Sequence, residues 1–142
     1  MAKDIFIHND KSRIDVEYVY HYLHHISYWA KGRPRSLIER GIENSLCFVV
    51  EKSGKQIGFA RVVSDFATFS YLADVFIDGK ERGHGYGKLL LNYIMEHPDL
   101  KNMKRWMLLT GDAHGLYKQY GFSAPAKPEI IMEKVIEGYI ES

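Results

Sequence analysis

Arg82-Gly83-His84-Gly85-Tyr86-Gly87-Lys88 sets three alternate glycines between a run that reads as a strand, Phe69 to Ile77, and one that reads as a helix, about Gly85 to Glu96. Side chains at those positions would hold other molecules away from the backbone; without them, several amide N–H groups can point outward together. The positive end of the following helix strengthens their field, and Arg82 and Lys88 add charge beside it, so the turn suits phosphate oxygens. Two familiar phosphate turns do not fit. A Walker A loop needs a longer interval before its Gly-Lys pair and then Ser or Thr, whereas Leu89 follows Lys88 here. A dinucleotide fingerprint needs G-x-G-x-x-G, and the third glycine comes one residue early.

Outward from this turn the chain alternates strands and helices. A short strand is expected near Ile5-Phe6-Ile7, then a helix from about Asp15 with Val16, Val19, Tyr20 and Leu23 at helical spacing, ending before Tyr28-Trp29. Lys31-Gly32-Arg33-Pro34 reads as a basic loop opening a second helix that carries Leu37, Ile38 and Ile42. Leu46 to Lys52 and Gln56 to Ser64 flank Ser53-Gly54 as an antiparallel hairpin. After the glycine turn come a strand at Arg105 to Leu109, a short helix at Asp112 to Tyr120 and a final strand at Ile130 to Ile136. This order predicts an α/β (α+β) sheet domain. No repeat or linker divides residues 1–142, so one domain is expected.

The composition limits the partners. Hydrophobic residues make up 46% of the 142, enough for an ordinary core, and the formal charge is only +1. No uniform field draws the molecule to nucleic acid or to an anionic membrane, so neither is expected as a partner. The start Met1-Ala2-Lys3-Asp4 has no apolar run behind it, and no segment is long and apolar enough for a span, which predicts a cytoplasmic protein. The single cysteine, Cys47, lies in the apolar run Leu46 to Val50 and reads as a buried strand thiol. His21, His24 and His25 have helical spacing, but no nearby carboxylate or cysteine completes a metal set, and no metal is expected.

The segment Arg82-Gly83-His84-Gly85-Tyr86-Gly87 after a strand resembles the R/Q-x-x-G-x-G/A signature of the GNAT superfamily of N-acetyltransferases. A second element of that family, an alanine, then Leu-Tyr and Gly-Phe, has its counterpart in Ala113, Leu116-Tyr117 and Gly121-Phe122. The resemblance covers about Ile5 to Lys134. It implies a mixed, mostly antiparallel sheet flanked by helices, with two central strands splayed apart, and acetyl-CoA as cosubstrate. By the same resemblance, Val75, Phe76 and Ile77 offer backbone groups to the pantetheine arm. Arg82, Gly83, His84, Gly85, Tyr86, Gly87 and Lys88 hold the pyrophosphate. A β-bulge near Asp74 to Phe76 is the expected cause of the splaying. One departure is Thr110, seven residues before Tyr117, where the family often has asparagine.

Acyl transfer from a thioester to an amine needs a neutral nucleophile, a stabilised oxyanion and a proton for the leaving thiolate. Tyr117 is the candidate acid, because a phenol with an ordinary pKa of about 10 is protonated at neutral pH. A backbone N–H near Val75 or Phe76 is the candidate oxyanion donor. The base is open between Asp74, His114 and a water chain. By resemblance, Tyr28 and Trp29 in the connection Ser27 to Arg33, and Phe66 and Phe69 in the loop between the hairpin and the next strand, wall the acceptor pocket. Lys31 and Arg33 read first as a solvated loop, with the 3′-phosphate of CoA or an acidic acceptor as the alternative. The acceptor is expected to be a small-molecule or peptide amine. The alternatives are a non-catalytic CoA-binding module and a protein-interaction module on the same fold. A homodimer in which the final strand and the tail Gly138 to Ser142 pair across the interface is a further option.

Overall fold

Residues 4–140 are described by a computed structural model of the chain. Five strands form one sheet in the order β1-β2-β3-β4-β5. They span Ile5–His8, Leu46–Lys52, Lys55–Ser64, Phe69–Ile77 and Arg105–Leu108. The first four pair antiparallel, and β5 runs parallel to β4. The hairpin between β2 and β3 turns on Ser53 and Gly54, both with positive φ, which matches the right-handed twist of the strands it joins. A parallel pair needs a crossover, and α3, Tyr86–Met95, supplies it between β4 and β5.

Helices cover both faces. On one, α1 (Val16–His21), the turn Tyr22–Ile26 that follows it and α2 (Arg35–Glu43) bring Val19, Leu23, Ile38 and Ile42 onto Val49, Phe59 and Phe76. On the other, α3 sets Leu90, Leu91 and Ile94 on one side of the helix, over Phe48, Val62 and Leu72, and α4 (His114–Lys118) adds Tyr117. β2 is buried on both faces from Cys47 to Val50, which explains its unbroken apolar run.

Two details of β4 position the site. Phe59 pairs with Phe76 but Arg61 pairs with Ala73, so two steps along β3 face three along β4. The extra residue lies at Asp74, whose φ is +54°. The expected bulge is therefore present. Pairing with β5 runs only from Phe69 with Arg105 to Leu72 with Leu108, so β4 continues without β5 from Ala73 to Ile77. That is the splayed pair expected of a mixed, mostly antiparallel sheet.

The first helix continues through one wide turn at Tyr22–Ile26 and ends before Tyr28-Trp29, as expected. The expected final strand is a correction. Pro128–Ile130 forms a single 3-10 turn, and residues 131–140 join no sheet. Alternating apolar residues favour a strand only when a partner edge supplies hydrogen bonds, and here the segment meets none among the described residues. Met1, Ala2 and Lys3, read above for a leader, and Glu141 and Ser142 of the expected tail lie outside the described residues. Among the described residues, no helix is long and apolar enough to cross a membrane.

Candidate active site

The glycine turn begins where β4 ends. Asp78 caps a short 3-10 turn, its Oδ1 accepting from the Lys80 amide at 3.0 Å. Arg82 then folds back. Its Nη2 donates to the Tyr22 hydroxyl at 2.8 Å and its Nε to the Ile77 carbonyl at 3.3 Å. Gly83 and Gly85 have φ of +85° and +81°, a conformation that only glycine adopts without strain. No atom lies within 4 Å of where a Cβ would stand on Gly83, Gly85 or Gly87. Among the described residues, no carbonyl or side chain accepts from the amides of residues 83–88. These unpaired donors stand in open space at the N-terminus of α3, with Lys88 exposed beside them and Tyr86 buried beneath. The cradle offers the free amide donors and the positive charge that suit a pyrophosphate.

Along the splayed edge, residues 73–77 of β4 keep backbone groups that no strand occupies on the β5 side. Phe76 is held by the other face of the sheet, its ring stacked on Tyr22 at 3.8 Å between centroids. Val75 and Ile77 lie against the α3 side. Side chains thus fix the strand, and its free backbone borders the opening.

Asp74 is 6% exposed and accepts from three donors: Trp29 Nε1 on Oδ1, and Arg33 Nη1 and Arg61 Nε on Oδ2, all at 2.9 Å. Burial pushes its carboxyl pKa up, but Arg33 and then Arg61 outweigh burial and hold it below the usual range. Arg61 also donates to Ser45 Oγ at 3.1 Å. The group ties the α1–α2 connection and α2's neighbourhood to the bulge.

Tyr117 is 9% exposed in α4. Burial, with smaller contributions from Tyr28 and Asp112, pushes its hydroxyl up to about 12. The loop ahead of α4 is shaped by Thr110, whose Oγ1 accepts from the Ala113 amide at 3.0 Å. Tyr28 reaches this loop from the other side of the opening: its hydroxyl accepts from the Gly111 amide at 2.9 Å and donates to Asp112 at 3.3 Å. A Cβ on Gly111 would stand 3.2 Å from that hydroxyl, so the close approach relies on glycine. His114 begins α4 and is exposed.

Tyr28 is therefore linked to the loop that leads into His114 and Tyr117, and Trp29 beside it to Asp74. Phe66 and Phe69 do not join them. Phe69 starts β4, five residues before Asp74, which a strand rise of about 3.3 Å per residue makes roughly 17 Å. Phe66 sits at the tip of a loop organised by Asp65, whose Oδ1 accepts from the amides of Ala67, Thr68 and Phe69. Sequence reasoning also missed Arg61 and Tyr22, and it read Arg33 as part of a solvated loop, or else an anion contact, rather than a partner of Asp74. Arg61 lay inside an apolar strand run, the one available sign of a buried charge in need of a counterion.

Residues 43–124 match a family model described as an acetyltransferase (GNAT) domain. The crystal structure of a Xanthomonas campestris pv. campestris protein described as belonging to the GNAT family superposes with a TM-score of 0.91, at 44% identity over 93% of each chain. A Clostridium acetobutylicum protein solved with acetyl-CoA shares the fold, with a TM-score of 0.71 at 17% identity over 92% of this chain and 96% of that one. A Gibberella zeae protein bearing an acetyltransferase name is 28% identical over 109 residues, or 63% of this chain. The match spans 62% of that relative's length.

Proposed function

The chain belongs to the GNAT family of acetyltransferases, and on that premise we propose that it transfers the acetyl group of acetyl-CoA to a primary amine held beneath Tyr28 and Trp29. The observation that carries this reading is the cradle of unpaired amides at residues 83–88, set at the end of β4, whose β5-side edge is open from Ala73 onward. The pyrophosphate takes that cradle, and the pantetheine arm follows the free backbone of Val75, Phe76 and Ile77. The likeness of fold to a protein solved with acetyl-CoA supports the same cosubstrate.

In the reaction, the neutral amine attacks the thioester carbonyl, a C–N bond forms and the C–S bond breaks. A β4 amide near Val75 or Phe76 stabilises the oxyanion. Tyr117 gives its proton to the departing thiolate; with a pKa near 12 it is fully protonated at neutral pH. The proton of the incoming amine passes to His114 or to water. Asp74, engaged by three donors and held ionised, is a weaker base than an ordinary carboxylate, and we assign it to holding the bulge.

Calorimetric titration with acetyl-CoA tests the reading. Wild type should bind saturably, and Gly87→Glu should not: its side chain enters open space and keeps the helix, but sets a carboxylate against the phosphates. Tyr117→Phe should bind like wild type while thiol release with a screened amine falls about 100-fold or more. Absence of binding to folded wild-type protein would overturn the assignment.

A further inference from the structure

Arg82 is the last side chain before the phosphate cradle, yet its guanidinium is engaged away from it, on the Tyr22 hydroxyl and the Ile77 carbonyl. The segment between β4 and the glycine turn is in fact gripped at both ends from one helix. Tyr18 lies in α1 and Tyr22 four residues on, where the wide turn begins, so the two share a face. The Tyr18 hydroxyl donates to Asp78 Oδ2 at 3.2 Å, at the start of the segment, and the Tyr22 hydroxyl accepts from Arg82 at its end. Phe76 lies against both rings: it is stacked on Tyr22 with planes 4° from parallel, and tilted against Tyr18 at 5.8 Å between centroids.

Tyr22 also reaches the far side of the site. Its carbonyl accepts from the Ser27 amide at 2.9 Å, the five-residue step that makes the turn wide, and Ser27 leads directly into Tyr28 and Trp29. Turns of this kind are rare within helices and recur at functional sites. One residue, 5% exposed, thus touches the connection that walls the amine, the strand beside the pantetheine arm and the arginine before the cradle.

We propose that Tyr22 is a positioning residue for acetyl-CoA, and that Arg82 aids binding by fixing the glycine turn against Tyr22 rather than by touching the phosphates. The inference rests on the reading that this turn holds the pyrophosphate. The amides of residues 83–88 act on one anion only if they converge, and a run of glycines has little stiffness of its own. Anchoring the side chain next to Gly83 limits the directions those amides take. A hydroxyl suits the task, since it accepts from the guanidinium without setting a negative charge near the phosphates, as a carboxylate there would.

Calorimetric titration with acetyl-CoA of wild type, Tyr22→Phe, Arg82→Met and the double variant tests the proposal. Phenylalanine keeps the ring stacked on Phe76, and Arg82 is exposed, so all three variants should melt within a few degrees of wild type. Each single substitution should weaken binding about 10-fold, the effect of one hydrogen bond to a charged group, and the double variant should bind no more weakly than either single one. In thiol release with a screened amine, the KM for acetyl-CoA should rise in Tyr22→Phe while kcat and the KM for the amine hold. Unchanged affinity in Tyr22→Phe overturns the proposal. So does a double variant weakened by the product of the two single effects, because Arg82 would then touch the phosphates itself. A fall in kcat at saturating acetyl-CoA would place Tyr22 in the chemistry and also overturn it. Folded wild type that binds no acetyl-CoA removes the cosubstrate reading as well, whereas the other outcomes remove this inference alone.

Discussion

A carboxylate as buried as that of Asp74 would be driven towards its neutral form if it stood alone; Arg33 and Arg61 reverse that and keep it ionised. The same pairing lets a non-glycine residue hold a φ of +54°. Asp74→Asn should therefore lower stability by about 3 kcal/mol in denaturant titration, the lower end for breaking a buried pair. The lower end applies because the two arginine side chains keep 19% and 18% of their surface in water. The folded pKa lies below the unfolded one. The stabilisation is thus present above the unfolded value of about 4 and is lost as pH falls through the folded value. The asparagine variant should show a flatter stability profile in that acid range, and an unchanged profile would remove Asp74 from this role. Asp74 was picked out from the sequence as a candidate base, by its place beside the presumed oxyanion site. Its partners were not, because Arg33 is 41 residues away in the chain and Arg61 is 13. Cys47 was read correctly: burial pushes its thiol up to about 11, so a thiol reagent should leave the native protein unlabelled.

Two connections are held together by one hydroxyl beside the open edge of β4. Tyr28 joins the α1–α2 connection to the loop before α4 through Gly111 and Asp112. Tyr28→Phe keeps the ring and removes both bonds. The expected result is faster hydrogen exchange at residues 110–113 and a KM for the amine raised several-fold, with acetyl-CoA binding unchanged. Equal exchange in the two proteins would mean that the loop is held by Thr110 alone. The limits of β2, β4 and α3 were legible because period-2 and period-3.6 patterns are local properties. This link was not legible, since no sequence pattern announces a contact across 83 residues.

Both faces of the sheet are covered, and the central strands contribute to two cores at once. Leu90 is fully buried between α3 and the sheet, and the helix whose N-terminus forms the phosphate cradle depends on that packing. Leu90→Ala should destabilise the protein by about 2–5 kcal/mol in thermal unfolding. Where the fold survives, acetyl-CoA should restore part of the lost melting temperature, because a ligand that binds only the folded state shifts the equilibrium towards it. Lack of any such shift would separate the cradle from the α3 packing.

Hydrophobic periodicity and turn chemistry were enough to read the five strands, the helices α1 to α4 and the glycine turn, since each depends on residues adjacent in the chain, and the resemblance added the mixed sheet. The glycine turn and the Leu116-Tyr117 and Gly121-Phe122 elements were also enough to suggest the family. What needed the folded chain were facts about meeting. β5 stops at Leu108 and leaves the β4 edge open; Asp74 collects Trp29, Arg33 and Arg61; Phe69 starts β4, and Phe66 lies in the loop before it, away from the open edge. The segment at 130–136 has the pattern of a strand, yet a strand exists only where a second edge meets its donors and acceptors. A hydrogen-bond partner is a property of spatial arrangement, which periodicity along one chain does not encode.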